Sequence, residues 1–201
     1  MRLVLLATGS APIFLTALLL AYVLWFKLGW LPGSGRLSAR GFTGPTGLNV
    51  IDGVLAGRFD VSLDALRHLI LPAVALSLPI AVAVGRSLTS ALREVLQHPY
   101  IRTARGEGLS ELHVVVRHGL RNAASAPLAM IGLQVELLFG NLLIVERVFA
   151  WPGLGLYMVQ AFVSSDLPAV LGVSLVFGAI YIVVNVAVEI AQSLADPRIR
   201  L

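Results

Sequence analysis

Four continuous apolar stretches, each about as long as a helix that crosses a bilayer, limit what this chain can be. A hydrocarbon core about 30 Å thick takes roughly 20 residues of helix, and the stretches cover about residues 3–26, 69–92, 123–145 and 169–194. No water reaches backbone N–H and C=O groups inside a bilayer, so only helices or closed barrels span it. Barrel strands alternate apolar and polar residues, and these runs do not. The expected fold class is therefore all-α: a polytopic helical membrane protein with about four transmembrane helices in one transmembrane domain, residues 1–201. Composition agrees. The chain is 57% hydrophobic and 13% charged, against about 45–50% and about 25% in soluble domains.

The N-terminus imitates a signal peptide, with Arg2 ahead of an apolar run and small residues at Ala7–Ala11. The run continues to Phe26, longer than the roughly 7–15 residues of a signal core, and reads as a retained anchor ending in the interfacial aromatics Trp25 and Trp30. Pro72 and Pro79 lie inside the second run, where a kink is expected and neighbours re-satisfy the backbone. The connection Lys27–His68 is rich in Gly, Ser and Pro and reads as irregular, with Asp52, Asp60 and Asp64 on a solvated surface. The segment Val148–Pro168 reads as a short interfacial or re-entrant piece.

The basic residues separate the apolar runs rather than forming one patch, which argues against a nucleic-acid surface. Arg2, the cluster from Arg86 to Arg121, Arg198 and Arg200 lie on one side, which the positive-inside rule makes cytoplasmic. The absence of cysteine removes disulfides and thiolate metal sites. No G-x-x-x-x-G-K-[ST] occurs and the only lysine is Lys27, so the chain supplies no ATP-binding loop of its own. No H-E-x-x-H and no serine nucleophile elbow is present. His113 and His118 are five residues apart, not the four that stack side chains on one α-helical face, so no metal site and no cofactor is expected.

Gln134, Glu136 and Asn141 lie within the third run. A charge near mid-bilayer costs roughly 2.5–3.5 kcal/mol on insertion scales, so Glu136 should face protein or water. These three are candidates for a translocation path; the other readings of Glu136 are a contact to a neighbour within the bundle and a protonated acid. Asn185 and Glu189 occur in the fourth run.

The polar segment of about residues 93–122 is the most informative. Pro99 starts an element, Tyr100–Glu107 suits a short helix, Gly108 can stop it at positive φ, and Ser110 can cap the next helix. The sum is a helix–Gly–helix elbow on the cytoplasmic side. Its run Tyr100-Ile101-Arg102-Thr103-Ala104 followed by Gly108-Leu109-Ser110 resembles the EAA loop of ABC importer permeases of the dipeptide/oligopeptide/nickel family. Leu28–Pro32 (LGWLP), Val145–Gly155 (VERVFAWPGLG) and Asp196–Arg200 (DPRIR) resemble that family's other motifs, in family order.

The resemblance implies a type I importer permease, multi-pass in the bacterial plasma membrane. It implies two ATP-binding subunits that hydrolyse ATP, a second permease subunit (homodimer or heterodimer) and an extracytoplasmic solute-binding protein as partners. It also implies that Tyr100, Arg102, Thr103, Ala104, Gly108, Leu109 and Ser110 form the ATPase-coupling surface. A peptide is the expected substrate; nickel and glutathione branches share nearly the same motifs. Two departures stand out. Gly106-Glu107 replace the common Ala-Lys, which loosens the docking helix by about 1 kcal/mol and reverses a charge. Family members usually have six spans, and the four here match the last four. A fragment, a mis-assigned start, a truncated gene and a natural short form are the readings of that difference, and a non-transporting fragment is the alternative function.

Overall fold

In the computed structural model, residues 12–38 and 41–195 are described, and among them every regular element is helical. In chain order these are α1 (Ile13–Lys27), α2 (Asn49–Leu55), α3 (Phe59–Val95), α4 (Pro99–Gly106), α5 (beginning Glu111–His113), α6 (Ser125–Val148), α7 (Leu154–Val163) and α8 (Leu167–Ala195). α5 continues as a π-helical stretch, Val114–Leu120, and closes with Arg121–Ala123.

Three helices, α3, α6 and α8, are long and apolar enough to cross a membrane. They correspond to the last three expected spans. Of the first expected span, α1 is described from Ile13, and residues before Pro12 lie outside the described set, as does the closing DPRIR segment. α3 starts ten residues earlier than the apolar run suggested. Asp60 and Asp64 are therefore helical residues, and the connection before them is shorter than expected. The helix runs on through Pro72 and Pro79.

The residues gather into two compact units: one drawn from the chain up to Pro79 and from Leu138–Ser174, the other from Ile80–Leu137 and from Leu175 onward. In the first unit α3 buries Val61, Ala65, His68, Leu71, Pro72 and Ala75, a spacing of three and four that draws one stripe along a helix. Leu71 and Ala75 pack with Ile13 and Ala17 of α1 and with Val145 and Phe149 from the end of α6. The loop after α1 is more ordered than its composition suggested. Gly35 donates its N–H to the Phe149 carbonyl at 2.9 Å. Asp64 accepts from the backbone N–H and the hydroxyl of Ser38, at 2.7 and 3.0 Å. Asp52 is fully buried rather than solvated, and accepts the N–H and hydroxyl of Thr46 at 3.0 and 2.7 Å. Burial works to raise its pKa, but hydrogen bonds from Thr46 and Gly47 and the nearby Arg36 charge outweigh it and hold the carboxyl below its ordinary value.

In the second unit α6 and α8 approach closely where Gly132 faces the side chain of Asn185. Leu175, Ile182, Val183 and Leu194 of α8 stay exposed in the isolated chain, as expected of surfaces that lipid or other subunits cover.

Four helices among the described residues end the same way. The N–H of the residue after the turn returns to the carbonyl five residues back, and the preceding N–H to the carbonyl three back: Arg58 and Gly57 for α2, Leu109 and Gly108 for α4, Trp151 and Ala150 for α6, Asp166 and Ser165 for α7. This is the Schellman arrangement, whose turn residue is left-handed. Gly57 and Gly108 occupy it at φ +66° and +81°, whereas Ala150 and Ser165 do so at +46° and +57°. A side chain there costs roughly 1–2 kcal/mol, only partly recovered as lower chain entropy. Ala150→Gly should therefore raise the melting temperature of the purified chain in detergent, which differential scanning fluorimetry can measure.

A helix–glycine–helix elbow and a buried helix cap

The elbow lies wholly in the second unit. His98, in extended conformation, precedes Pro99 at the first position of α4, where a missing N–H costs nothing and φ is already helical. α4 has one apolar face: Ile101 and Ala104 are buried and pack with Val114 of α5, flanked by Leu96 and Leu109. The helix ends where Leu109 N–H reaches the Ala104 carbonyl at 3.4 Å and Gly108 N–H reaches the Arg105 carbonyl at 3.1 Å. Leu109 and Ala104 also meet in the apolar cluster, the contact that usually accompanies this turn. A Cβ at Gly108 would meet nothing within 4 Å. Glycine is needed there for its backbone angle and not for space. Ser110 then caps α5, its hydroxyl accepting from His113 N–H at 3.4 Å.

A fork clamps the two helices. Arg105 donates to both carboxylate oxygens of Glu111, Nε at 3.0 Å and Nη2 at 2.6 Å. The Arg105 hydrogen bond holds the Glu111 carboxyl below its ordinary value, and Glu111 in turn raises Arg105.

The sequence-derived coupling residues divide by burial. Tyr100, Arg102, Thr103, Gly108 and Ser110 are exposed, Leu109 is half-buried and Ala104 is buried. Ala104 thus acts inside the elbow as its packing residue, and the surface open to a partner is the remaining set. His98 stacks on Tyr100 with ring centroids 5.7 Å apart and planes 14° apart, extending that surface by a residue that sequence reasoning did not single out.

Of the candidate path residues, Gln134 lines a cleft of about 590 Å³ with Arg86, Ser87, Ser90 and Glu94 of α3 and Met130 of α6. Glu136 is exposed on α6, about 200° around the helix from Gln134. Gln134 and Glu136 therefore lie on different faces of α6. Asn141 belongs to the other unit and is half-buried.

The VERVFAWPGLG segment makes a second site, in the first unit. Glu146 is buried, yet its carboxylate accepts the N–H groups of Gly155 at 3.3 Å and Leu156 at 2.6 Å. These are orphan donors in the first turn of α7, where the helix dipole also favours negative charge. A Cβ at Gly153 would overlap the Glu146 carboxylate, so that glycine is set by close approach. The sequence signal was present as the Glu-to-Gly spacing, but a cap reaching back nine residues has no local pattern by which to be read.

With this geometry in view, comparison with known proteins is decisive. The family described as binding-protein-dependent transport system inner membrane component matches residues 1–201. The chain belongs to this family. Its relatives include the di/tripeptide transport system permease protein DppB of Pseudomonas aeruginosa, 43% identical over 197 residues, covering 97% of this chain and 58% of that protein. The dipeptide transport system permease protein DppB of Escherichia coli is 39% identical over 196 residues, covering 95% of this chain and 58% of that protein. A putative peptide permease protein of Brucella ovis is 39% identical over 193 residues, covering 96% and 55%. This inner membrane component therefore spans little more than half the length of the curated relatives it matches.

Three tests follow from the geometry. Gly108→Ala should destabilise the elbow by about 1 kcal/mol, and Gly108→Asn by less, because Asn tolerates the left-handed region; hydrogen exchange at Leu109–Glu111 reports both. Glu111 has a lowered pKa, so its contribution to the elbow is fully present at neutral pH and is lost only as pH falls through that lowered pKa. The protection factor at the same amides, exchange corrected for its intrinsic pH dependence, should therefore stay flat through mildly acidic pH in the native chain, and Glu111→Gln should lower it at pH 7. Glu146→Ala leaves the buried Gly155 N–H and the half-buried Leu156 N–H unpaired, at roughly 1–3 kcal/mol for a fully buried group; it should lower the melting temperature well beyond the effect of Glu136→Ala.

Proposed function

We propose that this chain is the membrane-spanning permease subunit of a binding-protein-dependent ABC importer that passes di- and oligopeptides across the bacterial plasma membrane. ATP is hydrolysed by separate subunits, a second permease subunit completes the path, and an extracytoplasmic binding protein delivers the substrate. The observation that carries this reading is the elbow. Two short helices are locked at a fixed angle by the Gly108 turn, the Ile101–Ala104–Val114 core and the Arg105–Glu111 fork. A rigid exposed projection can transmit a push from a closing ATPase pair, and a flexible loop cannot. The names of the relatives support peptide as substrate.

Tyr100, Arg102, Thr103, Gly108 and Ser110 form the coupling face, with Ala104 and Leu109 holding it from within. Gln134 lies on the substrate path: its cleft combines a cation, an anion and neutral hydroxyls, groups that meet both termini of a peptide without a deep apolar trap. Glu136 and Asn141 contribute to the path from other faces of α6.

The chain has no cysteine, so Ser110→Cys introduces a unique attachment point. A photocrosslinker placed there in native membranes should yield an adduct with an ATP-binding subunit, identified by mass spectrometry. Uptake of a labelled dipeptide by the same membranes should be lost on Gly108→Trp. An inserted chain that gives no such adduct, together with uptake indifferent to its removal, would overturn the assignment.

A further inference from the structure

His113 and His118 are five residues apart. In an α-helix that places them about 140° apart around the axis, which is why the sequence offered no shared face. The structure winds Val114–Leu120 as a π-helix, in which hydrogen bonds close over five residues. Residues five apart then come nearly onto one face. The two imidazole rings accordingly stand 6.1 Å apart between centroids, with planes tilted by 49°.

The winding is held from both sides. Gly119 is buried, and a Cβ there would press on Leu92, with Leu96 close behind, so the π turn sits tight against α3. The His118 carbonyl accepts from the Asn122 side chain at 2.7 Å, giving an outlet to a backbone group of this turn. His113 is exposed and His118 half-buried.

We propose that His113 and His118 form a binding site for one borderline first-row divalent metal ion, of the Zn²⁺ or Cu²⁺ class, clipped across the π turn. Metal–nitrogen bonds of about 2.0–2.1 Å at a tetrahedral ion put two imidazole centroids about 5 Å apart, so side-chain rotation of about 1 Å closes the pair. Imidazole nitrogen suits these ions and not Mg²⁺ or Ca²⁺. Among the described residues no group of three or more His, Cys, Asp or Glu side chains gathers to hold a metal, so water completes the shell. Arg117 borders the open cleft beside His113, and its charge weakens binding. The site is consequently an exchangeable one, and an ion in it ties the two ends of the π turn together.

The test uses the full chain in detergent, purified without a histidine tag, and Cu²⁺ as probe. Electron paramagnetic resonance should show one Cu²⁺ per chain, removable by chelator, with two coupled imidazole nitrogens. His113→Ala and His118→Ala should each reduce this to one nitrogen and weaken binding at least tenfold, with His98 and His68 unchanged as internal background. Zn²⁺ should slow hydrogen exchange at Val116–Leu120 in the native chain and not in the double variant. A native spectrum and stoichiometry equal to those of His113→Ala/His118→Ala would overturn the proposal, as would exchange protection that survives in the double variant.

Discussion

A helix that stops leaves carbonyl groups without partners, and near a bilayer water does not reliably supply them. This constraint organises the described parts of the chain. Four helix ends use the same pair of returning N–H groups around a left-handed residue. The turn satisfies the last carbonyls and fixes the direction of departure of the chain in one step. At Glu146 the solution is used twice over: its carbonyl accepts Trp151 N–H to end α6, while its side chain accepts the first free donors of α7. One residue thereby closes one helix and opens the next, which explains why a carboxylate is tolerated in a buried position.

The elbow applies the same chemistry to an exposed turn. Its rigidity comes from three sources of different kind: a backbone turn that needs glycine, a small apolar cluster, and a charge fork at the surface. The first two hold at any pH. The fork depends on Glu111 remaining ionised, and the Arg105 bond that stabilises the carboxylate also extends the range over which it does so.

Much of this was legible in the residues. Length and continuity of the apolar runs placed α3, α6 and α8, because a spanning helix leaves a signal too long to be imitated by a buried strand. The elbow was readable because each of its parts is local: Pro99 at a first position, Gly108 at a turn, Ser110 at a cap. What escaped reading was non-local or changed the period. The start of α3 was hidden because Asp60 and Asp64 looked like loop residues until Ser38 appeared beside Asp64. Asp52 looked solvated because nothing in the sequence announces Thr46 as its partner. Ala104 reads as surface in a motif, but the helical stripe it shares with Ile101 turns it inward. His113 and His118 look unrelated at the 3.6 residues per turn of an α-helix, and the chain is wound differently there.

The elbow cluster is assembled entirely from residues between Leu96 and Val114. Its contacts are therefore short in sequence, and loop closure for each of them is inexpensive in entropy. During synthesis this element has all its partners as soon as the chain has been made to the end of α5, before α6 or α8 exists. It is a low-contact-order unit, able to take shape early, while the spans that follow are still being made.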